Sequence, residues 1–166
     1  MKDRHVESVE YGQDVVDIRV TMGPQDDYFS QEGIDAFLNT FYTVTHECDR
    51  MGYRLEGTPI EHSQKGADIV SDGIAKGAIQ VPKNGQPIVL LSDRQTVGGY
   101  TKIANVISVD LSKLVQCKYP QQIHFVAVGI EEAQRIYAME RERIKLLNAR
   151  FVNKRLLARL FNKWKN

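Results

Sequence analysis

Short apolar runs separated by turn residues fill most of the first two thirds of the chain. The run VVDIRV at residues 15–20 predicts a strand that ends at Met22-Gly23-Pro24. Further strands are predicted at residues 42–45, 68–70, 78–81, 88–91, 102–109 and 122–128. Many short strands with a turn signal about every ten residues are typical of a closed or nearly closed β-barrel, because closure removes exposed strand edges. The pattern therefore predicts a mainly β protein.

Two short helices interrupt the strand pattern. Ser30 is a suitable N-cap for a helix whose apolar positions Ile34, Phe37 and Leu38 share one face. Asp110 is placed to cap a single helical turn at residues 111–114. Both helices are short, so we expect them to pack on the barrel rather than to form a layer of their own.

The period changes to that of a helix from Glu131 onward. Apolar residues recur at steps of three and four, which predicts one long helix, or a helical hairpin broken at Asn148 or Asn153. Nine bases from Arg141 to the end stand against one acid, Glu142. This basic tail, residues 135–166, is separated from a barrel domain at residues 1–134. It packs on the barrel or on a second copy of the chain, or its basic face meets an anionic membrane or a nucleic acid.

Composition excludes several classes of protein for the chain as a whole. In 166 residues, 22 Lys and Arg balance 21 Asp and Glu, so the net charge of +1 gives no overall footprint for nucleic acid. The two cysteines, Cys48 and Cys117, form no CxxC pair, which argues against a disulfide framework. No run is long and apolar enough for a membrane span, and the first residues lack a signal-peptide core. We expect a cytoplasmic protein.

Candidate chemistry lies in two polar segments. The apolar run at residues 88–91 leads into a segment that offers a carboxylate, a guanidinium, a carboxamide and a hydroxyl before a glycine pair and an aromatic ring: Asp93, Arg94, Gln95, Thr96, Gly98, Gly99 and Tyr100. The glycines predict a turn that approaches a ligand closely or adopts positive φ. An ordinary hairpin loop has the same spacing. In the second segment Arg50 and Arg54 flank Gly52 as a candidate anion fork.

Histidines and cysteines do not predict a metal site. His46, Glu47 and Cys48 are consecutive, but on a strand His46 and Cys48 share one face while Glu47 points away, and no fourth ligand is in view. His62 and His124 are predicted in a loop and on the barrel surface rather than as catalytic bases.

Five segments carry a resemblance to a known family. They are GPQDDYFS (23–30), YTVT (42–45), DRMGYRLEG (49–57), the run from 71 to 108 that contains SDRQTVGGYTKIANVIS, and EEAQ (131–134). Together they resemble the carboxyltransferase family of allophanate hydrolase subunit 2. That family includes the C subunit of 5-oxoprolinase, the antagonist of a kinase inhibitor in sporulation control, and the matching region of urea amidolyase. The resemblance implies a cyclophilin-like β-barrel, and it covers only the C-terminal half of a usual family member.

The resemblance also implies site residues. A carboxyl-transfer or lactam-opening step develops negative charge on oxygen, which fixed donors stabilise. The family motif assigns catalytic weight to Arg50, Arg54, Asp93, Arg94 and Gln95, and substrate binding to Gly52, Gln80, Thr96, Gly98, Gly99 and Tyr100. Asp93 has an alternative, structural role, in which it orients Arg50 or Arg94 through a bidentate pair. Tyr100 either closes the pocket or belongs to the core.

The resemblance implies that the chain is part of an enzyme. The chain would be the C-terminal domain of a carboxyltransferase or of an ATP-dependent, lactam-opening 5-oxoprolinase subunit, forming one wall of a cleft. A missing N-terminal half and a partner like allophanate hydrolase subunit 1 would complete the cleft, and biotin or ATP would act only through partner subunits. The alternative is a non-catalytic regulatory module that docks on a partner. Val97, Thr101 and Asn105 depart from the usual threonine, proline and threonine of the motif.

Overall fold

The computed structural model describes residues 15–163, with side chains through residue 149. Over these residues the chain forms nine strands and three α-helices, with a 3₁₀ turn at Asp26–Tyr28. The strands are β1 (Val15–Met22), β2 (Phe41–Cys48), β3 (Gly52–Gly57), β4 (Asp68–Gly73), β5 (Ala78–Gln80), β6 (Ile88–Leu90), β7 (Val97–Tyr100), β8 (Lys102–Val106) and β9 (Gln122–Ala127). The helices are α1 (Gln31–Asn39), α2 (Leu111–Leu114) and α3 (Ile130–Lys163).

Seven strands close into a barrel in the order β1-β8-β5-β6-β3-β2-β9. Neighbouring strands are antiparallel, except at the seam, where β1 and β9 run parallel from the pair Val15 and Gln122 to the pair Val20 and Ala127. Closure leaves these seven strands without a free edge. The prediction of a mainly β barrel is confirmed.

The barrel is filled by side chains from alternate strand positions. Ile18, Val44, Leu55, Val89 and Ile123 are each at most 2% exposed and belong to one apolar cluster. Helix α1 begins where the sequence predicts it, because the Ser30 hydroxyl accepts a hydrogen bond of 3.0 Å from the backbone N–H of Gly33. Its buried Phe37 stacks on Phe125 of β9 with ring centroids 4.6 Å apart, so the helix packs against the barrel.

Strands β4 and β7 lie outside the barrel and pair with each other as an antiparallel ribbon, here called the arm. The prediction of a turn at the glycine pair is wrong, because Gly98 and Gly99 lie within β7 and neither has positive φ. The turn comes earlier, between the end of β6 and Val97. Two ion pairs hold the arm to the barrel segment of the chain: Lys102 to Asp72 at 3.1 Å and Lys83 to Asp68 at 2.9 Å.

The strand predicted at residues 102–109 is shorter in the structure and ends at Val106. Asp110 follows in a turn and stands at the N-cap position of α2, but its side chain makes no capping bond. Instead its fully buried carboxylate accepts hydrogen bonds from the backbone N–H of Arg19 at 2.9 Å and from its Nε at 2.7 Å. A charged side chain without solvent access needs such a partner, and that need takes precedence over the cap.

The last described segment is a single helix of 34 residues, α3, so the alternative of a hairpin broken at Asn148 or Asn153 is wrong. The chain divides into two compact units after Val128, and α3 belongs to the second. The first 14 residues, Trp164 and Lys165 lie outside the described residues, as do the side chains of the tail bases from Arg150 onward. None of the described helices combines the length and the apolar character required to cross a membrane.

Candidate functional site

An open groove of about 490 Å³ runs across the outer wall of the barrel beside the arm. Strands β2, β3, β5 and β6 form its floor, and five of the residues predicted for the site line it: Gly52, Arg54, Gln80, Gln95 and Tyr100. Their neighbours Leu55, Ile79 and Val89 point into the barrel core, so the period of two places the groove residues on the opposite side of the wall. We call this the glutamine groove.

Two carboxamides meet at Gly98 of the arm. A Cβ built on Gly98 would lie 3.0 Å from Nε2 of Gln80 and 3.7 Å from Nε2 of Gln95. Gln80 is only 2% exposed, and its Nε2 donates to the carbonyl of Tyr100 at 3.5 Å. The absence of a side chain at Gly98 therefore lets the arm lie directly against both amides. This close approach, rather than positive φ, is the structural reason for that glycine.

The arginines of the predicted anion fork do not converge on this groove. Arg54 lines it and pairs with Glu47 at 3.1 Å. Arg50 lines a neighbouring groove. Its guanidinium donates two hydrogen bonds to Asp93, from Nε to Oδ2 at 2.7 Å and from a terminal nitrogen to Oδ1 at 3.1 Å. The structure thus realises the bidentate, orienting alternative for Asp93, with Arg50 as its partner.

The Arg50 and Asp93 side chains sustain each other's charge. The hydrogen bond from Arg50 lowers the pKa of the Asp93 carboxyl, and the same bond raises the pKa of the Arg50 guanidinium. The backbone N–H of Asp93 also donates to the carbonyl of Arg50 at 2.9 Å. The pair therefore fixes the segment after β6 to the turn before β3.

Arg94 serves the backbone. Its half-buried guanidinium donates to the carbonyl of Ile74 at 3.1 Å through Nε and to the carbonyl of Leu91 at 3.2 Å through a terminal nitrogen. The neighbouring Thr96 uses its carbonyl to accept from the backbone N–H of Ile74 at 2.9 Å. These bonds lie at one end of the arm, where Gly73 pairs with Val97, and Arg94 ties that end to the end of β6.

Three consecutive residues of β2 also line the groove, His46, Glu47 and Cys48. The prediction that Glu47 points away is wrong, because a register shift in the pairing of β2 with β3 between Val44 and Cys48 interrupts strict alternation. The His46 ring contacts the Tyr119 ring, with centroids 3.8 Å apart and planes tilted by 32°. Within residues 15–163 no three His, Cys, Asp or Glu side chains are placed to hold a metal ion.

Two other histidines, His62 and His124, lie outside the groove. His62 lies between β3 and β4, and its Nε2 is 3.1 Å from the carbonyl of Val81 and 3.2 Å from the hydroxyl of Thr101. His124 on β9 contacts Asp17 at 3.0 Å and the carbonyl of Leu38 at 2.9 Å. Both histidines make bonds that organise the barrel.

The unusual Thr101 has a structural role that a proline could not fill. Its backbone N–H donates to the carbonyl of Ala67 at 3.0 Å, and proline has no such N–H. Its side chain is fully buried beside His62. Val97, by contrast, is 58% exposed on the arm, so the replacement there changes the surface of the arm and not its anchoring.

Similarity to known proteins is strongest in the barrel. The model of the family "Carboxyltransferase domain, subdomain A and B" matches residues 2–127 and ends before α3. The C subunit of 5-oxoprolinase from Escherichia coli strain K12 is 41% identical over 116 residues, which are 70% of this chain and 37% of that protein. The namesake from Haemophilus influenzae is 45% identical over 95 residues, 57% of this chain and 30% of that protein. The chain thus spans about a third of the length of these relatives.

Solved structures share the fold. The K. lactis urea amidolyase superposes with a TM-score of 0.78 over 84% of this chain and 9% of its own, at 23% sequence identity. The Kluyveromyces lactis urea carboxylase gives the same score and identity over 13% of its length. With the family model matched across the whole barrel, the chain belongs to the carboxyltransferase-domain family.

Proposed function

We propose that this chain forms one wall of the active cleft of a carboxyltransferase or 5-oxoprolinase, in a cytoplasmic assembly of several subunits. The observation that carries the proposal is the meeting of Gln80 and Gln95 at Gly98, in a groove that also holds Gly52, Arg54 and Tyr100. Carboxyl transfer and lactam opening both place negative charge on a carbonyl oxygen. Amide N–H groups fixed before the reaction are suited to stabilise that charge.

The hydrogen-bond donors of the glutamine groove differ in how accessible they are to a substrate. Gln95 is exposed and has hydrogen-bonding capacity for a substrate, whereas the Gln80 amide is buried against the arm. Arg54 is held by Glu47, so its charge is partly balanced within the groove. We therefore assign Gln95 to substrate contact, Gln80 to fixing the geometry of the arm, and Arg54 to charge balance and orientation. Tyr100 borders the groove at 42% exposure and is suited to cover a bound substrate.

The rest of the cleft is assigned to other polypeptide. The matched relatives are about three times as long as the matched segment and are named as one subunit of an enzyme. We propose that an N-terminal half and a first-subunit partner close the open groove. A biotin carrier or ATP, where the reaction needs one, would come from those partners as substrate, because the groove residues offer amides and one balanced arginine rather than a phosphate cradle.

A second function has one observation in its favour. The guanidinium groups of Arg50, Arg54 and Arg94 are all engaged, by Asp93, by Glu47 and by backbone carbonyls. Of these three, Arg54 alone lines the glutamine groove, and a groove whose arginine is already paired also suits a regulatory module that docks on a partner without catalysis.

Reconstitution separates the two functions. The chain is mixed with the N-terminal half and partner subunits of a 5-oxoprolinase, and ATP-dependent conversion of 5-oxoproline to glutamate is measured. Gln95→Ala is expected to lower turnover about a hundredfold, the usual effect of losing one donor to a developing oxyanion. Gln64→Ala, another exposed glutamine outside the groove, is the matched control and should not change turnover.

The alternatives give opposite results in this assay. If no turnover occurs although the proteins elute together, the chain is a binding module and the enzyme proposal fails. If both glutamine variants retain full turnover, the groove is not the active cleft. Melting temperatures of both variants are compared with the parent, because two exposed glutamines should be equally dispensable for folding.

A further inference from the structure

A second and larger groove lies on the other side of the turn that precedes β3. Its volume is about 840 Å³, and it runs between that turn, the end of β6 and the segment from Ser108 to Val115. Two cations line it, Arg50 and Lys76, together with three hydroxyls, those of Ser92, Ser108 and Ser112. We call it the lysine groove. Neither the proposed reaction nor the family match assigns it a role.

The charges of the lysine groove do not cancel. Its one carboxylate, Asp49, uses Oδ1 to accept from the backbone N–H groups of Met51 at 2.7 Å and Gly52 at 3.1 Å. Arg50 is paired with Asp93 but keeps one terminal nitrogen outside that bidentate contact. Lys76 is exposed and makes no ion pair within the described part of the chain. The Ser112 hydroxyl already donates to the carbonyl of Val109 at 3.0 Å, so Ser92 and Ser108 supply the hydroxyl donors beside Lys76. An unbalanced ammonium beside such donors favours an anion.

Part of the groove lining is apolar and fixed. Leu91, Leu111 and Val115 contribute aliphatic surface, and Tyr53 contributes its ring. The hydroxyl of Tyr53 donates to the carbonyl of Val115 at 3.0 Å, which joins β3 to the end of α2 across the groove. Leu91 is 4% exposed and belongs to the barrel core, so this part of the lining is not free to collapse.

We propose that the lysine groove binds a small organic anion, with its carboxylate or phosphate at Lys76 and the hydroxyls of Ser92 and Ser108, and its apolar body against Tyr53 and the aliphatic lining. The volume is in the range of small-molecule sites, which combine apolar lining with a few polar groups that orient the ligand. This site goes beyond the proposed function. It shares only the rim residues Cys48 and Asp49 with the glutamine groove, so either can fail without the other.

The test uses three probes with the same six-carbon chain on the ¹⁵N-labelled full-length protein. Hexanoate, hexyl phosphate and hexanamide are titrated, and backbone amide shifts are followed at Lys76, Ser92, Ser108 and Ser112. The anions should produce saturable shifts at these amides, and the neutral hexanamide should bind at least about fivefold more weakly, the size of one exposed charge contact. Whichever anion binds more tightly identifies the head group that the site prefers.

A charge-matched pair of variants isolates Lys76. Lys76→Gln should weaken hexanoate binding about fivefold, whereas Lys118→Gln, which removes an exposed lysine outside the groove, should leave it unchanged. Both side chains are exposed, and the amide spectrum itself reports whether each variant is folded. Equal binding of hexanamide and hexanoate, shifts confined to other surfaces, or unchanged affinity in Lys76→Gln would each overturn the proposal.

Discussion

Lys102 of β8 and Asp72 of β4 form an ion pair of 3.1 Å that joins the barrel to the arm. The two ends of this pair are unlike, because the Lys102 side chain is 4% exposed and that of Asp72 is 52% exposed. Asp72 also accepts from Nε2 of Gln25 at 3.3 Å and is opposite Gly98 in the arm ladder. The buried ammonium therefore fixes β4, the strand that pairs with β7 where Gly98 meets the two glutamines.

Removing either partner of this pair should have unequal effects. Asp72→Asn leaves the Lys102 ammonium buried without its carboxylate and should lower the melting temperature by several degrees. Lys102→Met replaces the charge by an apolar chain of similar length and should cost less, and the double variant should resemble Lys102→Met. Thermal unfolding of the three variants measures the difference. Asp68→Asn, which breaks only an exposed pair with Lys83, is the control. Equal losses for Asp72→Asn and Asp68→Asn would contradict the argument.

Acid should destabilise the barrel partly through Asp110. Burial raises the pKa of this carboxyl, but hydrogen bonds from Arg19 and the positive charges of Lys113 and Arg19 together outweigh burial, and the net pKa is lowered in the folded protein. A carboxyl with a lowered folded pKa stabilises the fold above its unfolded pKa of about 3.9 and loses that contribution as pH falls through the folded value. Unfolding followed from pH 7 to pH 2 should show this loss. Asp110→Asn should be less stable at pH 7 and flatter with pH, and parallel profiles would refute the assignment.

Arg94 is expected to matter for folding more than an exposed arginine does. Arg94→Ala removes donors from the carbonyls of Ile74 and Leu91 and should reduce the free energy of unfolding by about 1–2 kcal/mol. Urea unfolding of Arg94→Ala is compared with that of Arg54→Ala, whose side chain is 56% exposed. If the two variants unfold at the same urea concentration, Arg94 is not a structural tie and a direct role in binding regains weight.

A side chain should be tolerated less well at Gly98 than at Gly73. A Cβ at Gly98 would lie 2.7 Å from Cδ1 of Ile74 and 3.0 Å from Nε2 of Gln80, but at Gly73 nothing lies within 4 Å. Gly98→Ala should therefore destabilise by about 1–3 kcal/mol, or displace the arm and expose its amides to hydrogen exchange. Gly73→Ala should do neither. The same exchange pattern in both variants would show that the arm does not rest on the glutamines.

Assembly through the basic tail stays a prediction. Truncation after Gln134 removes most of α3, which belongs to a unit separate from the barrel. If the tail joins copies of the chain, the truncated protein should elute from a sizing column as a smaller assembly while its barrel keeps the same thermal transition. An unchanged elution class would remove the idea. Because α3 lies beyond the matched residues 2–127, the family match does not supply the answer.

The sequence predicts the local features of this protein better than the contacts between residues that are distant along the chain. Ser30 is found at the predicted N-cap because capping depends on residues within one helical turn. Asp110 stands at its predicted position but binds Arg19, which is remote in sequence, and no local pattern contains that contact. Glycine pairs are equally ambiguous. Gly98 and Gly99 carry the composition of a turn, yet they belong to a strand because β7 pairs with β4, which is remote in sequence.

The candidate site shows the same division. Motif spacing brings together Gly52, Arg54, Gln80, Gln95 and Tyr100 as residues of one site, and the fold places them in one groove. The carboxylates that engage the arginines could not be assigned in the same way. The contact of Glu47 with Arg54 occurs beside a register shift in the pairing of β2 with β3, which the sequence pattern does not show. Asp93 has two candidate arginine partners in the sequence, and the fold brings Arg50 to it.

The parallel seam between β1 and β9 has a consequence for how the chain is made. A ribosome releases β1 first among the barrel strands, but both of its hydrogen-bonded neighbours, β8 and β9, emerge last. Until β8 and β9 have emerged, β1 lacks the two strands beside which Ile18 is buried in the folded barrel. Closure by contacts so distant along the chain is slow. A nascent chain stalled before Gln122 would therefore present an unpaired apolar strand to chaperones or to other copies of the chain. Ribosome pausing near that point would lower the yield of folded protein more than pausing after Val128.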